Sequence, residues 1–332
     1  MKELLSVKNL SVDFNTPEGV VRAVNNVSFD VPMGKTIGLV GESGSGKSVT
    51  SLAVMGLIPN PPGIISGGQI LFEGNDLTKY SEDQMRKIRG NDIAMIFQEP
   101  MTSLNPVFKV GDQISEVLIL HKLMSKKEAW DRSVELLGHV GIPNPSASAH
   151  KYPHEMSGGQ KQRVMIAMAI ACEPKLLICD EPTTALDVTI QRQVIELMFD
   201  LQDKYKMGML FITHDLGVIA DIADEVVVMY RANLVEQGST KHIFANADHP
   251  YTKGLIACRP ALDRNPKRLL TVSDFMDEAG KEKLVSEEKC KKVDKIYNID
   301  EEKNPVLLKV KDFHVHFPIK GGIFGSVVDQ FK

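Results

Sequence analysis

Eight consecutive residues near the start of the chain combine glycines, hydroxyl groups and one lysine. At every fixed position they match a pattern in which a glycine-rich turn leads into Lys-Ser at the start of a helix. Glycines let backbone N–H groups close around phosphate oxygens, and the helix N-terminus adds a favourable dipole. The residues are Gly41, Glu42, Ser43, Gly44, Ser45, Gly46, Lys47 and Ser48. Lys47 is expected to reach the β- and γ-phosphates of a nucleotide, and Ser48 to offer its hydroxyl to Mg²⁺.

A second chemical group stands at the end of an apolar run. Residues 176–179 read Leu-Leu-Ile-Cys, and Asp180 and Glu181 follow at once. A buried strand that ends in carboxylates places them where an α/β sheet binds its ligand. Asp180 is expected to hold Mg²⁺, directly or through water, and Glu181 to polarise the water that attacks a phosphate.

A third group, Ser157-Gly158-Gly159-Gln160, comes just before a predicted helix. It offers a hydroxyl, exposed amides and a helix N-terminus, which together favour an anion. Because the chain already has its own phosphate loop, we interpret this second anion site as serving a nucleotide bound by a partner subunit. The alternative is an ordinary helix N-cap on Ser157.

Regular structure must hold these groups, and the hydrophobic pattern predicts strands that alternate with helices. Predicted strands cover residues 4–14 (as an edge strand), 27–32, 36–40, 69–72, 92–97, 176–179, 209–212 and 225–229. Predicted helices cover residues 48–57, 160–171 and 190–205, with an inserted helical block at 110–157. Such alternation is typical of a mainly parallel sheet with helices on both faces.

The composition is that of a globular chain. Of 332 residues, 43% are apolar and 25% are charged, which suffices for a core and excludes disordered and fibrous classes. The net charge of −4 argues against nucleic acid as a partner. No apolar run approaches the roughly 18 residues that span a bilayer, and no secretory segment opens the chain, so a cytosolic location is expected. The four cysteines lack the spacing of a disulfide framework or a zinc site.

The order of these groups, together with Gln98, Asp187 and His214, resembles the nucleotide-binding domain of ATP-binding cassette (ABC) proteins over residues 4 to about 240. The resemblance implies a P-loop NTPase fold of the α/β class. Its parts are a mainly parallel sheet core, an antiparallel N-terminal β subdomain and an inserted helical subdomain. It places this domain at residues 1–245 and the helical subdomain at 110–157. It also implies ATP hydrolysis by a head-to-tail dimer, in which each ATP meets one subunit's phosphate loop and the other subunit's Ser-Gly-Gly-Gln.

Single residues take their expected roles from the same resemblance. Phe14 resembles the aromatic residue that stacks on adenine, and Gln98 the residue that senses Mg²⁺ and the γ-phosphate. Asp187 resembles the loop residue that crosses the dimer seam, and His214 the histidine that contacts the γ-phosphate. The expected catalytic residues are Glu181, His214, Lys47 and Gln98. The expected magnesium ligands are Ser48, Gln98 and Asp180.

Two segments, residues 97–106 and 249–255, are similar to the D-type ATP-binding subunits of oligopeptide and dipeptide permeases. This likeness implies peptide uptake at the cytoplasmic face of the cell membrane. The implied partners are a second ABC ATPase, two transmembrane permease subunits and, indirectly, an extracytoplasmic peptide-binding protein. Two alternatives remain. One is import of nickel or glutathione by the same kind of ATPase, and the other is a soluble ABC ATPase that acts on ribosomes or DNA.

Two features depart from that group. The segment Tyr230-Arg231-Ala232-Asn233 lacks the glycine usual in its hairpin, and Asn233 is expected to tolerate the positive φ that the turn requires. The tail also lacks clustered cysteines, so no iron–sulfur cluster is expected.

The C-terminal part of the chain changes character. Residues 246–305 are expected to be an extension or linker, and the charge-rich stretch 263–304 suits either a solvated linker or a folded regulatory piece. The segment 4–14 recurs at 307–317 with six of eleven positions identical. We interpret residues 306–332 as the start of a second ABC domain that ends before a second phosphate loop. A chance likeness between two amphipathic strands is the alternative.

Overall fold

The computed structural model describes residues 3–98, 103–183, 187–258, 271–277, 283, 308–314, 317–321 and 326–331. Parts of the segments discussed above, residues 99–102, 185–186 and most of 259–307, lie outside the described residues. The strands are β1 Glu3–Thr16, β2 Gly19–Pro32, β3 Thr36–Val40, β4 Gly63–Phe72, β5 Asn75–Asp76, β6 Ile93–Ile96, β7 Leu176–Asp180, β8 Gly208–Thr213, β9 Glu225–Tyr230, β10 Asn233–Ser239, β11 Phe317–Gly321 and β12 Ser326–Phe331.

Helices cover the faces and edges of these strands. They are Lys47–Val54, Glu82–Ile88, Val110–Lys122, Lys126–His139, Pro145–Ala149, Gly158–Ile170, Val188–Tyr205, Leu216–Ile222, Thr240–Asn246, Pro250–Ala257 and Val272–Phe275, with 3₁₀ turns at Leu77–Lys79 and Pro153–Glu155. Among the described residues, no helix has both the length and the apolar character needed to cross a membrane.

A six-stranded sheet in the order β10-β9-β3-β8-β7-β6 forms the centre of the domain. Neighbouring strands are parallel from β9 to β6, while β10 pairs antiparallel with β9. Every residue of β3, β7 and β8 is buried, which is why these strands are continuous apolar runs in the sequence. Because parallel strands end at one edge of a sheet, the loops after β3, β6, β7 and β8 meet there.

The second sheet is antiparallel, in the order β2-β1-β4-β5. The expectation that residues 4–14 form an edge strand is wrong, since β1 pairs with β2 on one side and β4 on the other. Asn9 adopts φ 50° where both ladders shift register, so the buried positions change phase along β1. This phase change makes the alternation in the sequence loose. The expected α/β class, with a mainly parallel core and an antiparallel N-terminal sheet, is confirmed.

Three helices form a block after β6: Val110–Lys122, Lys126–His139 and Pro145–Ala149. Ser125 begins the second of them with a capping box, because its hydroxyl accepts the N–H of Glu128 and the Glu128 carboxylate accepts the N–H of Ser125. The buried hydroxyls of Ser115 and Ser133 lie 2.9 Å apart and join the first two helices. The block therefore has polar pairs and buried side chains of its own.

The turn between β9 and β10 differs from the prediction. Positive φ values occur at Arg231 (46°) and Ala232 (67°), so the expectation for Asn233 is wrong. Asn233 instead pairs with Tyr230 as the first residue of β10, and its side-chain Nδ2 donates to the Arg231 carbonyl at 2.7 Å. Two central residues with positive φ are the feature of a type I′ turn, whose twist suits a hairpin. The strain therefore falls on Arg231 and Ala232, each of which carries a Cβ.

Ala232→Gly is expected to stabilise the chain by about 1 kcal/mol, because glycine relieves the left-handed strain. For a large domain this corresponds to a rise in Tm of roughly 2–4 °C, measured by thermal unfolding. Ala247→Gly is the matched control, because Ala247 has φ −54° and glycine there adds only unfolded-state entropy. A lower Tm for Ala232→Gly than for the parent chain would contradict the strain argument.

The described residues after 249 pack in part against the core. Tyr251, in the helix Pro250–Ala257, is fully buried. The short helix Val272–Phe275 lies against Gly254, where a Cβ would be 3.2 Å from the Val272 Cα. For residues 271–277, these contacts favour a folded piece over a solvated linker.

The predicted repeat of the first strand is not formed over residues 308–314, which have no strand structure. Leu308, Val310 and Phe313 are exposed there, whereas β1 is covered by β2 and β4. No strand pairs with residues 308–314 within the part of the chain that the structure describes, so their apolar side chains have nothing to pack against. A hairpin of β11 and β12 follows. A second domain beginning at residue 306 stays a prediction.

Candidate nucleotide-binding site

The glycine-rich loop lies between β3 and the helix Lys47–Val54, at the carboxyl edge of the parallel sheet. Neighbouring backbone requires glycine at two of its positions. A Cβ at Gly41 would lie 2.2 Å from the carbonyl oxygen of Met229, and a Cβ at Gly46 would lie 2.4 Å from that of Ala23. Main-chain atoms cannot move aside as a flexible side chain does, so both positions exclude larger residues. The loop is thus held closely between β2 and β9.

The ammonium group of Lys47 is folded back into the loop. The residue is 5% exposed, and Nζ donates to the carbonyl oxygens of Gly41 and Glu42, each at 2.8 Å. Burial lowers the pKa of Lys47, while the carboxylates of Glu181, Asp180 and Glu42 act in the opposite direction. A phosphate entering the loop would replace neutral carbonyl acceptors with a charged one, and charge-assisted hydrogen bonds are the stronger kind.

Ser48 and Asp180 form the pair expected to hold a divalent cation. The Ser48 hydroxyl donates to Asp180 Oδ1 at 3.1 Å. Burial raises the pKa of Asp180, the neighbouring Glu181 charge adds to this, and Ser48 and Lys47 lower it. A hydroxyl and a carboxylate are hard oxygen ligands of the kind that Mg²⁺ takes together with water and phosphate oxygens. The residues present therefore fit this metal.

Glu181 is held by two side chains from neighbouring strands. Gln98 Nε2 donates to Glu181 Oε2 at 3.1 Å, and His214 Nδ1 lies 3.1 Å from Oε1. The three residues follow β6, β7 and β8, so the adjacency of these strands brings them together. The Glu181 N–H also donates to the Ile212 carbonyl at 2.9 Å, which anchors the residue at the sheet edge. An oriented carboxylate of this kind can accept a proton from a bound water.

The Ser-Gly-Gly-Gln segment and Asp187 line a separate cleft of about 560 Å³. Ser157 Oγ accepts the N–H of Gln160 at 3.3 Å, and the Gln160 side chain accepts the N–H of Ser157 at 3.1 Å. The N-cap interpretation of Ser157 is therefore correct as local structure. It leaves the amides of Gly158 and Gly159 in the first turn of the helix, where backbone donors lack partners within the helix. No residue of the phosphate loop lines this cleft among the described residues, so the phosphate loop and the Ser-Gly-Gly-Gln segment face different places.

Phe14 is half-buried on β1, opposite Val21 of β2. Val21 stands two residues before Ala23, whose carbonyl adjoins Gly46, so this ring belongs to the sheet that borders the phosphate loop. Its stacking on adenine stays a prediction. The structure gathers six of the expected residues at one sheet edge: Lys47, Ser48, Gln98, Asp180, Glu181 and His214.

One residue that touches the loop has no predicted role. The Tyr251 hydroxyl accepts the N–H of Glu42 at 2.9 Å, across 209 positions of sequence. The sequence places Tyr251 in the segment 249–255, but a contact over such a separation leaves no local signal. The fixed spacing of glycine or acidic residues that reveals the other groups does not mark Tyr251.

A glycine-rich phosphate loop, a partly buried Ser–Asp pair, an oriented glutamate and a second glycine-rich helix start on this fold are the features of an ATP-binding cassette ATPase. The family model described as ABC transporter matches residues 24–184. The model described as oligopeptide/dipeptide transporter, C-terminal region, matches residues 235–281. The second match includes the helix that carries Tyr251.

Similar proteins of known function show to which group of ABC ATPases the chain belongs. The oligopeptide transport ATP-binding protein OppD of Bacillus subtilis (strain 168) is 51% identical over 311 residues, covering 94% of this chain and 87% of the relative. The dipeptide transport ATP-binding protein DppD of the same organism is 52% identical over 272 residues, covering 82% of this chain and 81% of the relative. The chain therefore belongs to the family of ATP-binding proteins of oligopeptide and dipeptide ABC transporters, as its motifs predict.

Solved structures agree with the fold. The dimeric structure of MJ0796, described as a bacterial ABC transporter cassette, has a TM-score of 0.64 at 26% identity, covering 71% of this chain and 98% of that one. A dimeric post-hydrolysis state of MJ0796 bound to ADP and Pi has a TM-score of 0.63 at 25% identity. The expected fold, nucleotide binding and ATPase class are thereby confirmed.

Proposed function

We propose that this chain hydrolyses ATP to power the import of short peptides through membrane permease subunits. The observation that supports this is the contact of an oligopeptide/dipeptide C-terminal region with the phosphate loop, in a chain that also holds Glu181 between Gln98 and His214. Two other functions are the alternatives to peptide import. The first is import of nickel complexes or glutathione by the same kind of transporter, and the second is ATP hydrolysis that is not connected to transport.

Hydrolysis requires the chain to orient ATP, a water molecule and a proton acceptor. The phosphate loop binds the ATP phosphates through its N–H groups, and Lys47 exchanges its carbonyl partners for the β- and γ-phosphates. The Glu181 carboxylate, fixed by Gln98 and His214, takes the proton of the water that attacks the γ-phosphorus. The bond to the leaving ADP oxygen breaks as the bond to water forms, giving ADP and inorganic phosphate. The imidazole of His214, whose side chain is 64% exposed beside Glu181, is open to contact with the γ-phosphate.

The residues that would hold Mg²⁺ are Ser48, Asp180 and Gln98. When bound, this cation supplies positive charge that offsets the charge of the β- and γ-phosphates. Asp180 is buried and its pKa is raised, so its negative charge costs stability in the nucleotide-free protein. Such a costly charge is consistent with a position that a cation normally faces.

Asp180→Asn is expected to raise the Tm of the nucleotide-free chain at pH 7 and to abolish its stabilisation by MgATP. Because the folded-state pKa of Asp180 is raised, its contribution to stability is full at acid pH and is lost as pH rises through that pKa. As the pH rises from the ordinary pKa of an aspartate to the raised pKa of Asp180, the difference in Tm between the variant and the parent should therefore grow. At a ligand concentration of 100 times Kd, the parent chain should gain about 2.7 kcal/mol from MgATP. Equal MgATP stabilisation of both proteins would contradict the metal assignment.

The active unit proposed here is a dimer of ABC ATPases. The cleft lined by Ser157–Gln160 and Asp187 contains no phosphate-loop residue among those described, so it suits the ATP of a second ATPase. That ATPase is either a separate chain or a fused second half. We retain the division into a domain at 1–245, an extension at 246–305 and a segment at 306–332 that resembles the start of a second ABC domain as part of the proposal.

The proposed membrane partners are two transmembrane permease subunits, contacted through the helical subdomain at 110–157. Exposed apolar side chains in and beside its first helix support a docking role: Val107, Phe108, Leu120 and Leu123. The chain would then act as a peripheral protein on the cytoplasmic face of the membrane, with an extracytoplasmic peptide-binding protein as an indirect partner. The net charge of −4 does not favour nucleic acid.

Affinity purification of the chain from native membranes, with identification of the co-purifying proteins, tests this proposal. We expect two multi-span membrane proteins and a second ATPase, with ATP hydrolysis stimulated by a peptide-loaded binding protein. If nickel complexes or glutathione stimulated ATP hydrolysis and peptides did not, the transported solute would be one of these instead of a peptide. ATPase activity without any membrane partner would contradict the importer.

A further inference from the structure

The hydroxyl of Tyr251 accepts a hydrogen bond from the N–H of Glu42, the second residue of the phosphate loop, at 2.9 Å. Tyr251 has no exposed surface, and its ring lies 4.3 Å from that of Tyr230, between ring centres. Its own N–H donates to His249 Nδ1 at 3.1 Å. The hydroxyl is therefore held in place by a ring contact and a helix cap.

Hydrogen bonds from two other residues hold the peptide groups on either side of Glu42. On one side, Lys47 Nζ donates to the Glu42 carbonyl oxygen at 2.8 Å. On the other side, Tyr251 accepts the Glu42 N–H. The residue that Tyr251 anchors is thus one of the two, Gly41 and Glu42, whose carbonyl oxygens accept from the phosphate-binding lysine. A shift of Glu42 would move the acceptor of Lys47 and the neighbouring N–H groups together.

The chemistry of a phenol suits this position. Burial raises the pKa of Tyr251 to about 12, so the group is neutral at physiological pH. A neutral acceptor can hold an amide beside bound phosphates without adding a negative charge that would repel them, as a carboxylate would. The C-terminal region thereby reaches the nucleotide site through one uncharged contact.

We propose that Tyr251 is a positioning residue for ATP binding, and that through it the C-terminal region sets the affinity of the phosphate loop for nucleotide. Without the hydroxyl, the loop of the nucleotide-free protein can turn the Glu42 N–H towards water. Closure around the phosphates would then bury this N–H without a partner, and the penalty would fall on the bound state. The inference concerns nucleotide binding and does not depend on which solute is transported.

Tyr251→Phe removes the hydroxyl and keeps the buried ring, so it tests the contact without opening a cavity. Tyr205→Phe is the matched control, because the Tyr205 hydroxyl is buried without a hydrogen-bond partner among the described residues. The probe is a fluorescent ATP analogue titrated into each purified full-length variant, followed by KM and kcat for ATP in the assembled complex.

We expect Tyr251→Phe to raise the Kd and KM for ATP about tenfold, with kcat within about twofold of the parent and the Tm close to that of Tyr205→Phe. A Kd unchanged from the parent would overturn the proposal, as would an equal loss in Tyr205→Phe. A fall in kcat at constant KM would also overturn it, because it would place Tyr251 in the chemical step. Failure of peptide import would leave these titrations unaffected, so the two proposals fail separately.

Discussion

Glu181→Gln is expected to lower the ATPase rate at least a hundredfold while leaving the Kd for ATP within about threefold of the parent value. The amide has the size of the carboxylate but cannot take a proton from water, and positioned general bases contribute 10²–10⁴-fold. Gln98 can still donate to the amide oxygen, and His214 can accept from the amide nitrogen in its other tautomer. Steady-state hydrolysis and equilibrium binding on the same preparation measure the two effects.

The control for this substitution is Glu196→Gln, on the exposed face of the helix Val188–Tyr205. It removes one surface carboxylate whose ion pair with Arg192 contributes little. Turnover of the control should match the parent. Robust hydrolysis by Glu181→Gln in the assembled complex would remove Glu181 from the proposed mechanism.

Gly158→Asp is expected to reduce ATP hydrolysis about a hundredfold without unfolding the chain. A Cβ at Gly158 meets no atom within 4 Å, and an acidic residue in the first turn of a helix stabilises it. The new carboxylate would stand where the γ-phosphate of a partner's ATP is proposed to bind, and removing a single preorganised stabilising group typically costs 10²–10³-fold. The measurement is ATPase activity in the assembled complex beside ATP affinity of the isolated chain.

Gly158→Asn provides the matched neutral control, since it has nearly the shape of aspartate without its charge. We expect it to retain much more activity than Gly158→Asp, and both variants to bind ATP like the parent through their own phosphate loops. Loss of ATP affinity in the isolated Gly158→Asp chain would indicate that the segment serves its own nucleotide. Full activity of Gly158→Asp would contradict the shared site.

The sequence allows the phosphate loop and the acid pair to be predicted because their signals are local. Gly41 to Ser48 form one unbroken pattern, and Asp180 and Glu181 end an apolar strand. The meeting of Gln98, Glu181 and His214 is different, because it depends on β6, β7 and β8 being neighbours. The hydrophobic pattern does not determine the order of strands in a sheet, so only the family resemblance predicts this cluster.

The errors and omissions have physical causes as well. The loose alternation of β1 suggests an edge strand, yet a register shift at Asn9 in two ladders produces it. Residue preference assigns positive φ to Asn233, but hairpin register places it on Arg231 and Ala232. Tyr251 meets Glu42 only through tertiary packing. In each case long-range pairing decides the outcome, and a local pattern cannot report it.

Uptake of a labelled peptide by cells tests the central claim most directly. The parent gene is compared with one encoding Glu181→Gln at equal expression, and unlabelled peptide, nickel or glutathione is added as competitor. The account predicts that uptake in the parent cells is suppressed by unlabelled peptide and is lost in the Glu181→Gln cells. Peptide uptake that persists unchanged with Glu181→Gln, while ATP hydrolysis by the purified complex is abolished, would contradict it.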